Sequence, residues 1–422
     1  MERKKSRLTL EVSLKKVGQN RRRWLFLCLF VPLGLAFVLL GCLEGPKTVK
    51  PVNLTIWLDA SDGELEFYKC AVGEYQKKHA LVTVDFVSTT FADLKPKLLG
   101  RPVSATKPDV VFLVHDWIGE LATKKVLRPL RKPNEEQLLQ GVEGLTYNGS
   151  LYGLPMSFGV VALIYNRKLV KTQPKNFVEL ISMGRRLAAT KKIIPFLYDN
   201  KNFYYHAPFF FGFGAQLFDQ KGRCTLSSAE AINSVDFALN LERDGIVPLK
   251  ANHSAMVNLF CSGKVAMIMT GPWDWERIKQ SGVEASVAPL PLLPKGQKTK
   301  PFVGINGFAI TRSSQEPEEA RKLIDFFTSL PIQRRALDRL GRMPTAVKVY
   351  EDKTIPQRAQ VFYRQAKSAI SMPNGPEMAQ VWQQMNWALS RSFTRKELPD
   401  VILRKVSTAV EGISAKSRGH IP

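Results

Sequence analysis

Histidine and cysteine are both scarce in these 422 residues, with five of each. Cys28 and Cys42 fall near the start, which leaves Cys70, Cys224 and Cys261 for the rest of the chain. No two cysteines stand in a CxxC pair and none sits beside clustered histidines, so the spacing argues against a structural metal site. An odd number of downstream cysteines permits at most one disulfide among them. There is no phosphate-cradling GxxxxGK[ST] loop, no GxSxG nucleophile elbow, no internal repeat and no low-complexity tract. Acidic residues are also few: 37 Asp and Glu stand against 61 Lys and Arg, a formal charge of +24. Such a balance suggests an acidic partner such as nucleic acid.

The N-terminus redirects that reading. Residues 1–23 hold nine basic and two acidic side chains, and an uncharged, mostly apolar stretch follows from Trp24 to Leu43. Basic then apolar is the layout of an export signal, whose positive end stays in the cytoplasm. The stretch ends in Leu39-Leu40-Gly41-Cys42, which resembles the lipobox of bacterial lipoproteins. On that resemblance residues 1–41 are a signal peptide, Cys42 is the lipidated N-terminus and 42–51 is a linker. The apolar run is also long enough to serve as an uncleaved anchor. Both readings put the remainder outside the cytoplasm, tethered to a membrane and away from nucleic acid, with its residual positive charge on a solvated face.

With 45% apolar residues, the remainder is long enough for two lobes. Val52–Asp59 and Leu81–Ser88 alternate as strands around a helical pattern at 62–79. Pro108–Val114 reads as a continuous buried strand of the kind found in parallel sheets covered on both faces. The order strand, helix, strand, helix, strand predicts an open α/β sheet, with ligands outside the carboxyl ends of its strands. That places Ala60–Gly63 and His115–Trp117 at the mouth of a site. Further helices are expected at Phe177–Ala189, Ser228–Asp244 and Pro376–Ser392, and strands at Val265–Met269 and Phe302–Thr311.

Several motifs in one order resemble the maltose-binding and wider extracellular sugar-binding protein family. They are Thr55-Ile56-Trp57, Pro108–Phe112 with His115-Asp116, Tyr147-Asn148-Gly149, Leu163–Asn166, Ala266-Met267 through Gly271-Pro272-Trp273-Asp274-Trp275, Lys300–Gly304 and Met372-Pro373-Asn374. The resemblance implies a periplasmic-binding-protein-like fold, two α/β lobes joined by a hinge with the ligand cleft between them. Lobe one would take residues 52–157 and 304–354, lobe two 158–303 and 355–413, with 414–422 as a tail. It also implies a monomeric sugar-binding subunit that delivers its ligand to an ABC permease, catalyses nothing and needs no cofactor.

At the sugar site the resemblance carries over Asp116, Tyr204, Trp273, Met372 and Trp382. Elsewhere the chain departs from the family's pattern. Ser61-Asp62 stand where the family has an Asp-Lys pair, and Leu113 and Trp117 replace a tryptophan and an arginine. Gly159 and Asn202 replace glutamates, His253 a tyrosine, Tyr205 a phenylalanine and Asn386 an arginine. A pyranose offers an apolar C–H face and a rim of hydroxyls, so rings supply area while charged groups fix hydroxyl pairs. Retained aromatics with an altered polar set point to a sugar without naming it. The expected contacts are therefore Ser61, Asp62, Asp116, Trp117, Tyr204, Tyr205, Trp273, Met372 and Trp382. Three other readings were weighed: a phosphorylated sugar, a ferric ion held by Tyr204-Tyr205, and a secreted glycan hydrolase. The last would need two carboxylates facing each other across the cleft.

Overall fold

Apolar residues alternate along VNLTIWL to form the first strand, β1 (Val52–Leu58), and β2 (Val82–Ser88) pairs with it in parallel. The computed structural model describes residues 50–100, 107–134, 136–191, 193–248 and 251–418. The expected signal 1–41, the lipobox cysteine Cys42 and most of the 42–51 linker lie outside the described residues. Between the two strands, helix Asp62–Gln76 opens with a capping box. The Ser61 side chain accepts from the Glu64 N–H, and the Glu64 carboxylate accepts from the Ser61 N–H, an arrangement worth about 1 kcal/mol. Arg342 clamps the same Glu64 carboxylate at 2.8 Å, tying the helix start to a distant part of the chain.

The apolar run VVFLV forms β3 (Val110–Val114), parallel to β1 and almost wholly buried. A short hairpin follows, β4 (Thr146–Tyr147) and β5 (Ser150–Leu151), closed by Asn148 and Gly149 at φ 46° and 76°. Asn-Gly tolerates this left-handed pair, which matches the twist of the strands. The chain then runs through β6 (Leu154–Val160), β7 (Ala162–Asn166), β8 (Ile194–Leu197), β9 (Val265–Thr270), β10 (Ala285–Ala288), β11 (Phe302–Ile310), β12 (Met343–Pro344) and β13 (Ile370–Ser371).

These strands form two larger sheets. One has the order β12-β6-β11-β3-β1-β2, with β13 added beside β11; the other has the order β10-β7-β9-β8. The molecule is thus a two-lobed α/β protein, each lobe built around its own sheet. The chain leaves the first sheet from β6 into β7 and returns from β10 into β11. Because β11 re-enters from the other lobe, it runs antiparallel to both β3 and β6, where the sequence order suggested only parallel pairing. β13 belongs to the segment expected in lobe two, yet it pairs with β11 in the larger sheet. Helix Met378–Phe393 packs against helices Phe203–Gly212 and Ala229–Arg243 on the smaller-sheet side. The last helix, Pro399–Arg418, continues past residue 413 into the expected tail. Cys70, Cys224 and Cys261 are all free thiols.

Candidate ligand-binding site

The carboxyl ends of β1, β2 and β3 lead into Ser61, Phe91 and Asp116 respectively, so the larger sheet offers three loops at one mouth. Asp116 is the half-buried charge among them, with one carboxylate oxygen closed off from solvent. Burial raises its carboxyl above the usual range, against the opposing pull of the Lys95 charge and the Trp382 indole. One carboxylate oxygen has no hydrogen-bond partner, and the Trp382 Nε1 is likewise without one of ordinary geometry although it faces that carboxyl. The indole N–H thus points at a carboxylate acceptor, a donor set against an acceptor.

Next to Asp116, His115 is buried and locked. Its Nδ1 accepts from the Ile305 N–H at 2.8 Å, so Nε2 carries the proton and donates to the Met372 carbonyl at 2.8 Å. Burial lowers its pKa, keeping this neutral tautomer. His115 therefore joins β3, β11 and the segment after β13, and Met372 enters the site region through its backbone.

The aromatic groups come from the smaller-sheet side. Tyr204 and Tyr205 open helix Phe203–Gly212, which has two of its free N–H groups satisfied by side chains. Asn202 accepts from the Tyr204 N–H at 3.0 Å and Asn386 from the Phe203 N–H at 2.7 Å. The two asparagines thereby position the helix carrying the rings. The Tyr204 hydroxyl donates to the Gly159 carbonyl at 3.2 Å, and its ring lies 5.9 Å from that of Trp273. Burial and the Asp116 charge push its phenol pKa up, so it remains a donor.

Trp273 is 40% exposed, on the turn after β9. Its indole lies over two glycines: a Cβ at Gly271 would sit 2.1 Å from the ring, and one at Gly159 3.0 Å from it. A side chain at Gly271 would collide with the indole, and one at Gly159 would crowd its edge. Trp382 is backed by Phe203 at 5.8 Å and Phe302 at 5.6 Å. Tyr205 bonds to His253 at 2.8 Å and meets Trp273 edge-on at 6.4 Å.

The remaining expected contacts fall differently. Asp62 is exposed on the first turn of its helix, and the Ser61 hydroxyl is committed to the cap. Trp117 is only 5% exposed, its ring 4.8 Å from Phe91. Phe91, 51% exposed, is the aromatic that this pair presents to solvent. Sequence reasoning missed it because a lone phenylalanine opening a short helix carries no periodic signal. It also passed over the link from Tyr205 through His253 to Asp274, whose members are separated by 48 and 21 residues. Tyr204 and Tyr205 bond to different partners rather than converging on one point, and among the described residues no cluster of three or more His, Cys, Asp or Glu could hold a metal.

One carboxyl stands after β3 of the larger sheet, and a set of rings comes from elements on the smaller-sheet side. The chain belongs to the bacterial extracellular solute-binding protein family, whose model matches residues 61–333. It is 27% identical to the maltotriose-binding protein of Pyrococcus abyssi, over 84% of this chain and 80% of that one. The galactooligosaccharide-binding protein of Bacillus subtilis is 26% identical, over 93% and 97%. Among solved structures, a cyclo/maltodextrin-binding protein complexed with maltotetraose superposes with a TM-score of 0.77 at 28% identity, covering 87% of this chain and 98% of that one. The maltotriose-binding protein of Thermus thermophilus, bound to maltotriose, gives 0.77 at 27% identity, covering 85% and 99%.

Proposed function

We propose that this protein captures a malto-oligosaccharide between its lobes and delivers it to the permease of an ABC importer, without catalysis. The observation that carries the reading is the Asp116 carboxyl facing Tyr204 and Trp382, with the exposed Trp273 ring tilted against Tyr204. Rings cover a pyranose face while the carboxylate takes a pair of hydroxyls, and a ligand touching both sides favours the closed arrangement of the lobes. Cys42 is the lipid attachment point that keeps the protein, as a monomer, at the outer face of the membrane. No helix among the described residues is long and apolar enough to cross a membrane.

Calorimetric titration with maltose through maltohexaose tests the ligand: one site should saturate, and no shorter product should appear by chromatography. A β-galactoside series is the second reading, favoured by the near full-length match to the galactooligosaccharide binder. Saturation by that series alone would replace the glucan. Release of sugar products would sink the non-catalytic assignment. An unprocessed N-terminus, found by mass spectrometry of the membrane fraction, would remove the lipid anchor.

A further inference from the structure

His253 lies where a hydrogen-bond chain meets the aromatic platform. Its Nε2 faces an Asp274 oxygen at 3.2 Å, and Thr270 donates to the other oxygen of the same carboxylate. The carboxylate therefore takes the Nε2 proton, leaving Nδ1 of the neutral ring as an acceptor. At 2.8 Å from Nδ1, the Tyr205 hydroxyl must be the donor. Tyr205 in turn stands edge-on to Tyr204 at 5.7 Å and to Trp273 at 6.4 Å. The direction of a single hydrogen bond thus sets how the platform is held.

We propose that His253, oriented by Asp274, is a positioning residue that holds Tyr205 against Trp273 and makes ligand affinity fall in acid; this rests on the sugar-cleft reading above. Protonation at Nδ1 removes the only acceptor the ring offers Tyr205. The ring then donates to the Tyr205 oxygen, so the bond reverses and the Tyr205 O–H has to turn away from the ring, towards the Thr270 hydroxyl beside it. Closure of the lobes over a neutral ligand also desolvates the imidazolium, which disfavours the charged form further. Four groups face His253: Asp274 from the turn after β9, Asp199 from the loop after β8, Arg277 from helix Trp275–Gln280, and Tyr205. The Asp274 hydrogen bond outweighs burial and the Arg277 charge, so the His253 pKa is raised. The change therefore falls above about pH 6.5.

The test is titration of the full mature chain with maltotriose from pH 5.5 to 8.5, with an Asp199→Asn control for the second carboxylate. Wild type and Asp199→Asn should both lose affinity towards acid by roughly three- to tenfold, the worth of one neutral hydrogen bond. His253→Phe, which cannot accept, should bind weakly with a flat profile. His253→Asn, whose carbonyl can accept from Tyr205 without titrating, should recover most of that loss at pH 8.5 and stay flat. His253→Asn keeping the wild-type slope, or His253→Phe binding like wild type at pH 8.5, would overturn the inference. A ligand-free arm separates it from the sugar reading: nitrogen NMR of His253 at pH 8.5 should show Nε2 protonated and Nδ1 bare. The opposite tautomer sinks the inference even if sugar binds. Failure of maltotriose to bind at any pH sinks the sugar reading and leaves the NMR arm to decide this one.

Discussion

The two lobes meet the cleft with opposite chemistry. The larger-sheet lobe brings a half-buried carboxyl, Asp116, one oxygen of which is left without a partner, and the smaller-sheet lobe brings Tyr204, Trp273 and Trp382 on its own elements and on the helix packed against them. Rings supply area without direction; a carboxylate supplies direction with little area. On the proposed function, splitting the two across a hinge would leave neither lobe alone able to hold a ligand tightly and would couple affinity to closure. The two sides also differ in how they tolerate emptiness. A half-exposed indole in water costs little, whereas a carboxyl taken out of water carries a desolvation penalty in its charged form.

The ring side should be the most sensitive. Trp273→Ala removes the exposed indole from its two-glycine bed and should weaken oligosaccharide binding by about 2–4 kcal/mol, as expected for a central aromatic anchor. Because 40% of the side chain is already in water, melting should change by no more than about 1 kcal/mol equivalent. Calorimetry and melting on one sample decide it, and a large loss of stability with intact binding would make the indole core rather than site.

Asp116→Asn should come next, costing roughly 1.5–3 kcal/mol of binding by removing a charged acceptor. Its effect on the free protein has the opposite sign. Burial raises the Asp116 pKa in the folded state, so the folded protein binds a proton more tightly there than the unfolded chain. The ionised group consequently destabilises the fold above the ordinary carboxylate range. The Asn variant should melt higher than wild type at pH 7, the gap closing as pH falls. Equal melting at pH 7 would remove the desolvation penalty from the comparison.

Phe91→Ala sharpens the contrast from within the larger-sheet lobe. If the Phe91 ring, supported by Trp117, stacks on an outlying sugar, the variant should lose about 1 kcal/mol with longer oligosaccharides and nothing with maltose. A uniform loss across chain lengths would place the ring elsewhere. Smallest of all, Asp62→Asn should shift binding by less than about 0.5 kcal/mol, because the side chain is exposed on a helix first turn.

Several elements could be read before any fold was known, each for a local reason. VVFLV is buried because it is uninterrupted apolar sequence, and helix Asp62–Gln76 announces itself through the helical spacing of Leu65, Tyr68, Val72 and Tyr75. Helix Phe203–Gly212 was illegible. Its sequence FYYHAPFFFG is apolar on every side and carries an internal proline, so no 3.6-residue period emerges and propensity argues against it. It forms because tertiary packing covers all its faces and because Asn202 and Asn386 satisfy its first amides. Ser61, Asp62 and Trp117 were placed at the mouth by strand order, yet order along a strand says nothing of whether a side chain there points into the cleft, caps a helix or packs inward.

Local sequence thus carries the α/β order of elements and, through several motifs in one order, the resemblance that implies two lobes and rings suited to a pyranose. Those properties follow from composition, periodicity and motif order, which act over a few residues at a time. Which polar group stays unpartnered, that Gly159 makes room for an indole 114 positions later, and that His253 faces both Tyr205 and Asp274 depend on where distant segments meet. Hydrogen bonds and ring contacts act over a few ångströms in space, and only folding brings such residues within that range.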